Sequence, residues 1–193
     1  MANQDRPTGL SPVKHLSGAN WNGQVNTYVI LAADTGVYGV GSAVKSFAGG
    51  DANGVPAVTI AAAGNALRGS IVGVLPLSAD SPVGPIPATK LRDYYVTVSD
   101  DPTTVYEIQA NNAGAFPTAD LNANANLVVA APSGISPFAL SELDASTTDT
   151  TSTLQLKILG KVQRADVDLT ANTKLLVMIN AHELSGFVAA VAA

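Results

Sequence analysis

The stretch STLQLKILGKVQ, residues 152–163, decides the fold. Leu154, Leu156, Ile158, Gly160 and Val162 fall on one side of an extended chain, and Gln155, Lys157, Leu159, Lys161 and Gln163 on the other. A period of two belongs to a strand with one buried and one mostly wet face. The same pattern spreads outward in both directions. Strands are expected at VNTYVILA (25–32), VYGVGSAVKSF (37–47), PAVTIAAA (56–63), GSIVGVLPL (69–77), NLVVAAP (126–132), SPFALSEL (136–143) and KLLVMINAHEL (174–184), with GFVAAVAA (186–193) as a further candidate.

Turn chemistry divides these runs. In DYYVTVSDDPTTVYEIQAN (93–111), Tyr94, Val96 and Val98 alternate with Tyr95, Thr97 and Ser99 before Asp100, Asp101 and Pro102. Proline presets φ and aspartate bonds its own backbone, so the chain is expected to reverse there into Tyr106, Ile108 and Ala110 as a hairpin. Asn53-Gly54 marks a second hairpin, because both residues tolerate positive φ. The only helix candidates, LSELDAS (140–146) and AGNALRG (63–69), are too short to stand alone. SPVGPIPATKLR (81–92) is too rich in proline for a central strand and reads as a surface connection, and DASTTDTTST (144–153) as an exposed edge or loop. About ten short strands must each bury a face and hide an edge. The expectation is an all-β body over residues 25–193, a single antiparallel β-barrel or jelly-roll-like sandwich, preceded by an extended N-terminal arm over residues 1–24.

Composition bounds the function. In 193 residues, 47% are hydrophobic and 13% charged, against about 25% charged in ordinary soluble domains. A surface so poor in charge is either neutral polar or covered by a partner. The net charge of −5 and ten scattered cations argue against nucleic-acid binding, which needs clustered Lys and Arg. The chain lacks cysteine, so disulfides, thiolate nucleophiles and thiolate metal sites are excluded. No run reaches the length of a membrane span, and MANQDRPTGL has no apolar signal core, so neither membrane insertion nor a cleaved signal is expected. Arg6, Lys14 and Asp5 give the arm +1, leaving −6 on the rest of a chain that totals −5.

Reactive constellations are sparse. Only His15 and His182 could serve as imidazole bases, the first in the arm and the second at a strand end. Ser42 lies in GVGSA, which is not a nucleophile elbow. Of twelve aspartates and three glutamates, most aspartates sit in turns. Residues 51–54 (DANG) lack the further carboxylates of a calcium loop, and Asp166 and Asp168 form the best local pair for a cation while fitting a solvated face better. No phosphate-cradling glycine motif is present. No catalytic residue, metal site or cofactor is assigned. Trp21, the single tryptophan, is a candidate anchor joining the arm to the body or to a partner, with ordinary core packing as the alternative.

Three stretches carry a family resemblance: ANQDRPTGLSPVKHLSG (2–18) with WNGQVNTYVI (21–30), VKSFAGGDANGVPAVTIAAAGNALRGSIVGVL (44–75) and LQLKILGKVQRADVDLTANTKLLVMINAHEL (154–184). Together they resemble the head decoration, or cement, proteins of tailed bacteriophages. The resemblance implies a structural virion protein rather than an enzyme, made in the host cytoplasm and located on the outer capsid surface. There it would brace neighbouring major capsid proteins as a homo-oligomer, with a trimer favoured over a dimer. On this reading Arg6, Leu10, Val13, Lys14, Leu16 and Trp21 form a capsid-binding arm held extended by Pro7 and Pro12, and Phe187, Val188 and Val191 of the apolar tail form an oligomer interface. The rival expectation is a glycan- or receptor-binding β-module of a phage fibre or surface appendage, which would need aromatics clustered around a polar cleft. A hydrolase built on His182 and an aspartate is a third.

Overall fold

The structure, a computed structural model, describes residues 3–75, 84–134 and 136–185. Its strands are β1 (Ser11–His15), β2 (Asn26–Ile30), β3 (Ala43–Gly50), β4 (Pro56–Ile60), β5 (Gly69–Val74), β6 (Tyr94–Ser99), β7 (Thr104–Gln109), β8 (Asn124–Ala125), β9 (Leu127–Val128), β10 (Glu142–Leu143), β11 (Leu156–Lys161) and β12 (Lys174–Ile179). Among the described residues the only helical elements are 3-10 turns at Thr118–Asp120 and Ala145–Thr147. The chain is all-β, as its alternation requires.

The strands form a five-stranded antiparallel sheet in the order β1-β7-β12-β11-β8, a ring in the order β2-β4-β3-β5-β6, and a two-stranded ladder β10-β9. The ring closes through one parallel pair, Val29 opposite Ala57, while its other neighbours are antiparallel. With so thin a seam it is a tightly curled sheet, and the five-stranded sheet packs against it in a sandwich-like arrangement.

The decisive stretch supplies β11, which lies between β12 and β8 in the five-stranded sheet. Leu156 and Ile158 of β11 are fully buried, and they pair with Ile179 and Val177 of β12. A register shift between Ile158 and Gly160 ends the simple alternation. One core joins these residues to Tyr106, Ile108 and Leu175, and to Leu10, Ala43 and Leu67 from the neighbouring layer. A second core fills the ring with Tyr28, Ile30, Tyr38, Val44, Val58, Ile71, Ile86, Val96 and Val98. Each large aliphatic side chain removed from water contributes about 1.5–3 kcal/mol, so the layers cannot separate cheaply.

Three expectations change. β6 and β7 do not pair: β6 lies between β2 and β5, and β7 between β1 and β12. The Asp100–Asp101 corner carries the chain from one layer to the other, because Asp100 accepts bonds from Tyr28 and Asn26 of the ring while β7 enters the sheet. Residues 84–92 are more than a surface connection. Ile86 is fully buried and pairs with Tyr38, and Lys90 is 7% exposed.

The third correction concerns the arm. Residues 3–24 do not stand off the body. Asn3 donates to the carbonyls of Asp168 and Ala171, and the Arg6 backbone N–H donates to Gln109 at 2.8 Å. Leu10 is fully buried, its N–H donating to Gly41 and its carbonyl accepting from Ser70. β1 then pairs with β7. The prolines that read as stiffeners of a strap fit this placement equally: Pro12 sits in an edge strand, where a missing N–H costs little.

Candidate functional site

β1 continues into a tight reversal. Gly18 takes φ +91 and donates to His15, His15 donates to Ala19, and Trp21 donates to Val13 at 3.3 Å. Lys14 bridges Asn20, so Val13 and Trp21 face each other across a small hairpin over residues 13–21. The register of β1 against β7 shifts between Pro12 and Lys14, leaving Val13 as the extra residue of a bulge. At this outer edge of the sheet Val13 is 36% and Leu16 56% exposed, with Trp21 half-buried beside them. The shielded indole N–H of Trp21 has no acceptor among the described residues. A donor left in that state costs about 1–3 kcal/mol.

The six residues expected in the arm therefore divide. Val13, Lys14, Leu16 and Trp21 lie together on the hairpin. Leu10 belongs to the core and cannot touch a partner. Arg6 lies apart from the hairpin on the segment held by Gln109, exposed, its guanidinium making no ion pair among the described residues. The oligomer contacts expected at Phe187, Val188 and Val191 fall outside the described residues.

The histidines occupy contrasting places. His15 Nε2 lies 2.7 Å from Gln24 Oε1, and its Nδ1 is 3.3 Å from an Asp101 carboxylate oxygen, so the ring ties the hairpin to the β6–β7 corner. His182 is 1% exposed; its Nδ1 accepts the Leu184 N–H, and its Nε2 has no partner among the described residues. Burial pushes its imidazole down to about 4, with Asp100 opposing. A neutral ring closed off from solvent is poorly placed to serve as a base toward an outside substrate.

Two charged networks were not read from the sequence. In the first, Asp100 accepts from the Tyr28 hydroxyl at 2.5 Å, and Arg68 Nε donates to that same hydroxyl at 2.8 Å. Burial, then the bond to Asp100, pushes the Tyr28 phenol up to about 12. In the second, Lys90 Nζ donates to the carbonyls of Asp34 (2.6 Å) and Gly36 (2.8 Å), lies 3.4 Å from the Asp34 carboxylate, and sits 5.2 Å from the centre of the Tyr38 ring. Burial pulls its ammonium down. Burial alone would raise the Asp34 carboxyl, but the hydroxyls of Thr59 and Tyr38, the Gly36 N–H and Lys90 hold it below the usual range. The buried members bond to one another and to nearby carbonyls, so both networks are staples. No period or motif marked them, since their members come from separate strands and loops.

The remaining candidates resolve simply. Residues 51–54 are a hairpin turn, with Asp51 Oδ1 accepting from the N–H groups of Asn53 and Val55. Asp166 pairs with Arg164, which also grips Glu107 through two 2.8 Å bonds. Among the described residues no group of three or more His, Cys, Asp or Glu could hold a metal ion, and no helix is long and apolar enough to cross a membrane. No family model, curated protein or solved structure matches the chain.

Proposed function

We propose that this chain is a structural virion protein that binds the outer surface of a phage capsid and cements neighbouring major capsid proteins, stabilising the head. The hairpin supports this reading: an exposed Val13 and Leu16 flank a half-buried tryptophan on the outer edge of a sheet. Such an edge suits contact with a large protein surface, where a buried aromatic anchor gives much of the affinity. The strand and turn stretches that resemble cement proteins add to it. The contact is a fixed knuckle rather than a flexible strap, so docking freezes little backbone and loses correspondingly less entropy.

The same proposal keeps a homo-oligomer, a trimer before a dimer, because a brace at local threefold positions of a shell engages several neighbours and gains by high effective concentration. A glycan-binding module draws less support: the exposed aromatics Phe47 and Phe138 line two separate pockets instead of one cleft. The test is co-sedimentation with emptied heads built from the major capsid protein of the same genome, using the native chain and a Leu16→Asp, Trp21→Ala variant. The native chain should pellet with heads to saturation, and the variant, still folded, should stay in the supernatant. Equal binding by both would remove the hairpin from the contact.

A further inference from the structure

We infer that the pocket between residues 5–8 and residues 136–140 receives an acidic, apolar segment of the partner protein; this rests on the capsid-binding proposal and names the chemistry of one of its contacts. The pocket is an open depression of about 440 Å³. Asp5, Arg6, Pro7, Phe138 and Leu140 line it. Phe138 is 46% exposed there and offers its ring face to an apolar group.

Both walls are fixed in advance. On one side the buried Gln109 accepts the Arg6 N–H through Oε1 and donates through Nε2 to Asp5 Oδ1 and Glu142 Oε1, each at 2.8 Å. On the other, the Val40 N–H donates to Pro137 at 2.7 Å and the Ala139 N–H to Val40 at 2.9 Å, which holds Phe138 between two anchored neighbours. Residues 5 and 6 are therefore presented by the sheet, and little order is lost when a ligand arrives.

The charges select the occupant. The Arg6 guanidinium, without an ion pair among the described residues, can take a carboxylate through two parallel N–H bonds. Phe138 and Leu140 offer apolar area to the residue beside that carboxylate. Asp5 has one oxygen committed to Gln109 and the other open to a peptide N–H. A phosphate brings Arg6 an acceptor but offers Asp5 no donor, so a nucleic-acid strand matches the Arg6–Asp5 pair less well than a protein segment with one acid and a free backbone N–H. The chain's own net charge of −5 makes an acidic partner depend on such a local cation.

The experiment combines affinity for emptied heads with a benzophenone amino acid placed at position 138. Arg6→Glu should weaken head binding roughly tenfold or more at low salt, Arg6→Ala by less, and light should join position 138 to the capsid protein. The Arg6 guanidinium has no ion pair among the described residues, so both variants should keep native far-ultraviolet dichroism and Tm. Unchanged affinity in both variants, with no capsid adduct, would overturn the pocket while leaving decoration intact. Adducts only between copies of this chain, or Arg6-dependent capture of a labelled oligonucleotide, would overturn the stated occupant. A native chain that ignores heads altogether would overturn the decoration reading and this inference with it.

Discussion

Gly9 and Gly41 pack backbone against backbone where the N-terminal segment crosses into the body. A Cβ on Gly9 would overlap the Gly41 carbonyl, and one on Gly41 would overlap the Thr8 carbonyl; both residues also take positive φ, +70 and +88. The contact stitches residues 8–10 to the body and lets Leu10 enter the core.

Alanine at Gly9 or Gly41 should therefore cost more than the 1–2 kcal/mol of a left-handed conformation, since backbone must also move apart. Gly23 is the control, with φ +88 and open space around it, so Gly23→Ala meets the conformational cost alone. Urea denaturation should rank Gly9→Ala and Gly41→Ala below Gly23→Ala. Equal midpoints for the three would mean that the crossing is loose.

Removal of residues 2–18 should abolish cooperative unfolding, because β1 and Leu10 go with it. Leu10→Ala is the milder form, with an expected loss of about 2–5 kcal/mol. A truncated chain that melts as sharply as the native one would restore the picture of a dispensable arm.

His182 should make stability depend on acid. The unfolded imidazole takes its proton near 6.5, whereas the buried ring does so only near 4, so its contribution is complete above about pH 6.5 and is lost as pH falls toward 4. The slope is at most about 1.4 kcal/mol per pH unit. His182→Asn keeps an acceptor for the Leu184 N–H and should flatten the stability profile through that window; an unchanged slope would assign the acid sensitivity to other groups.

Lys90→Met should destabilise by about 3–5 kcal/mol, since the carbonyls of Asp34 and Gly36 lose their donor and the Asp34 carboxylate its cation. Adding Asp34→Asn should cost less than its separate effect, because the charge that it removes is already unpaired. Full additivity in a double-mutant cycle would show that the pair is not coupled.

The period of two made β11 and β12 legible, since each buries alternate aliphatic residues against a layer, whereas β2 and β4 were legible as short apolar runs that bury consecutive residues. Sheet membership was not legible at the β6–β7 corner. Aspartate and proline announce a reversal there, but whether the next strand pairs with its predecessor depends on partners far along the chain, β1 and β12. Residues 1–24 read as an arm because Pro7, Gly9 and Pro12 break the alternation. The backbone approach of Gly9 to Gly41 gives that glycine its reason, and such an approach leaves no periodic trace. Val13, Lys14, Leu16 and Trp21 were visible as a group by composition, whereas the turn that exposes them emerged only with Gly18 in its left-handed conformation.

The most direct measurement of the central claim is cryo-microscopy of emptied heads incubated with the native chain. The account predicts ordered density on the outer surface, repeated at symmetry-related positions, with the Val13 to Trp21 hairpin buried against the capsid protein. Bare heads at saturating protein, or bound density with that hairpin facing solvent, would contradict it.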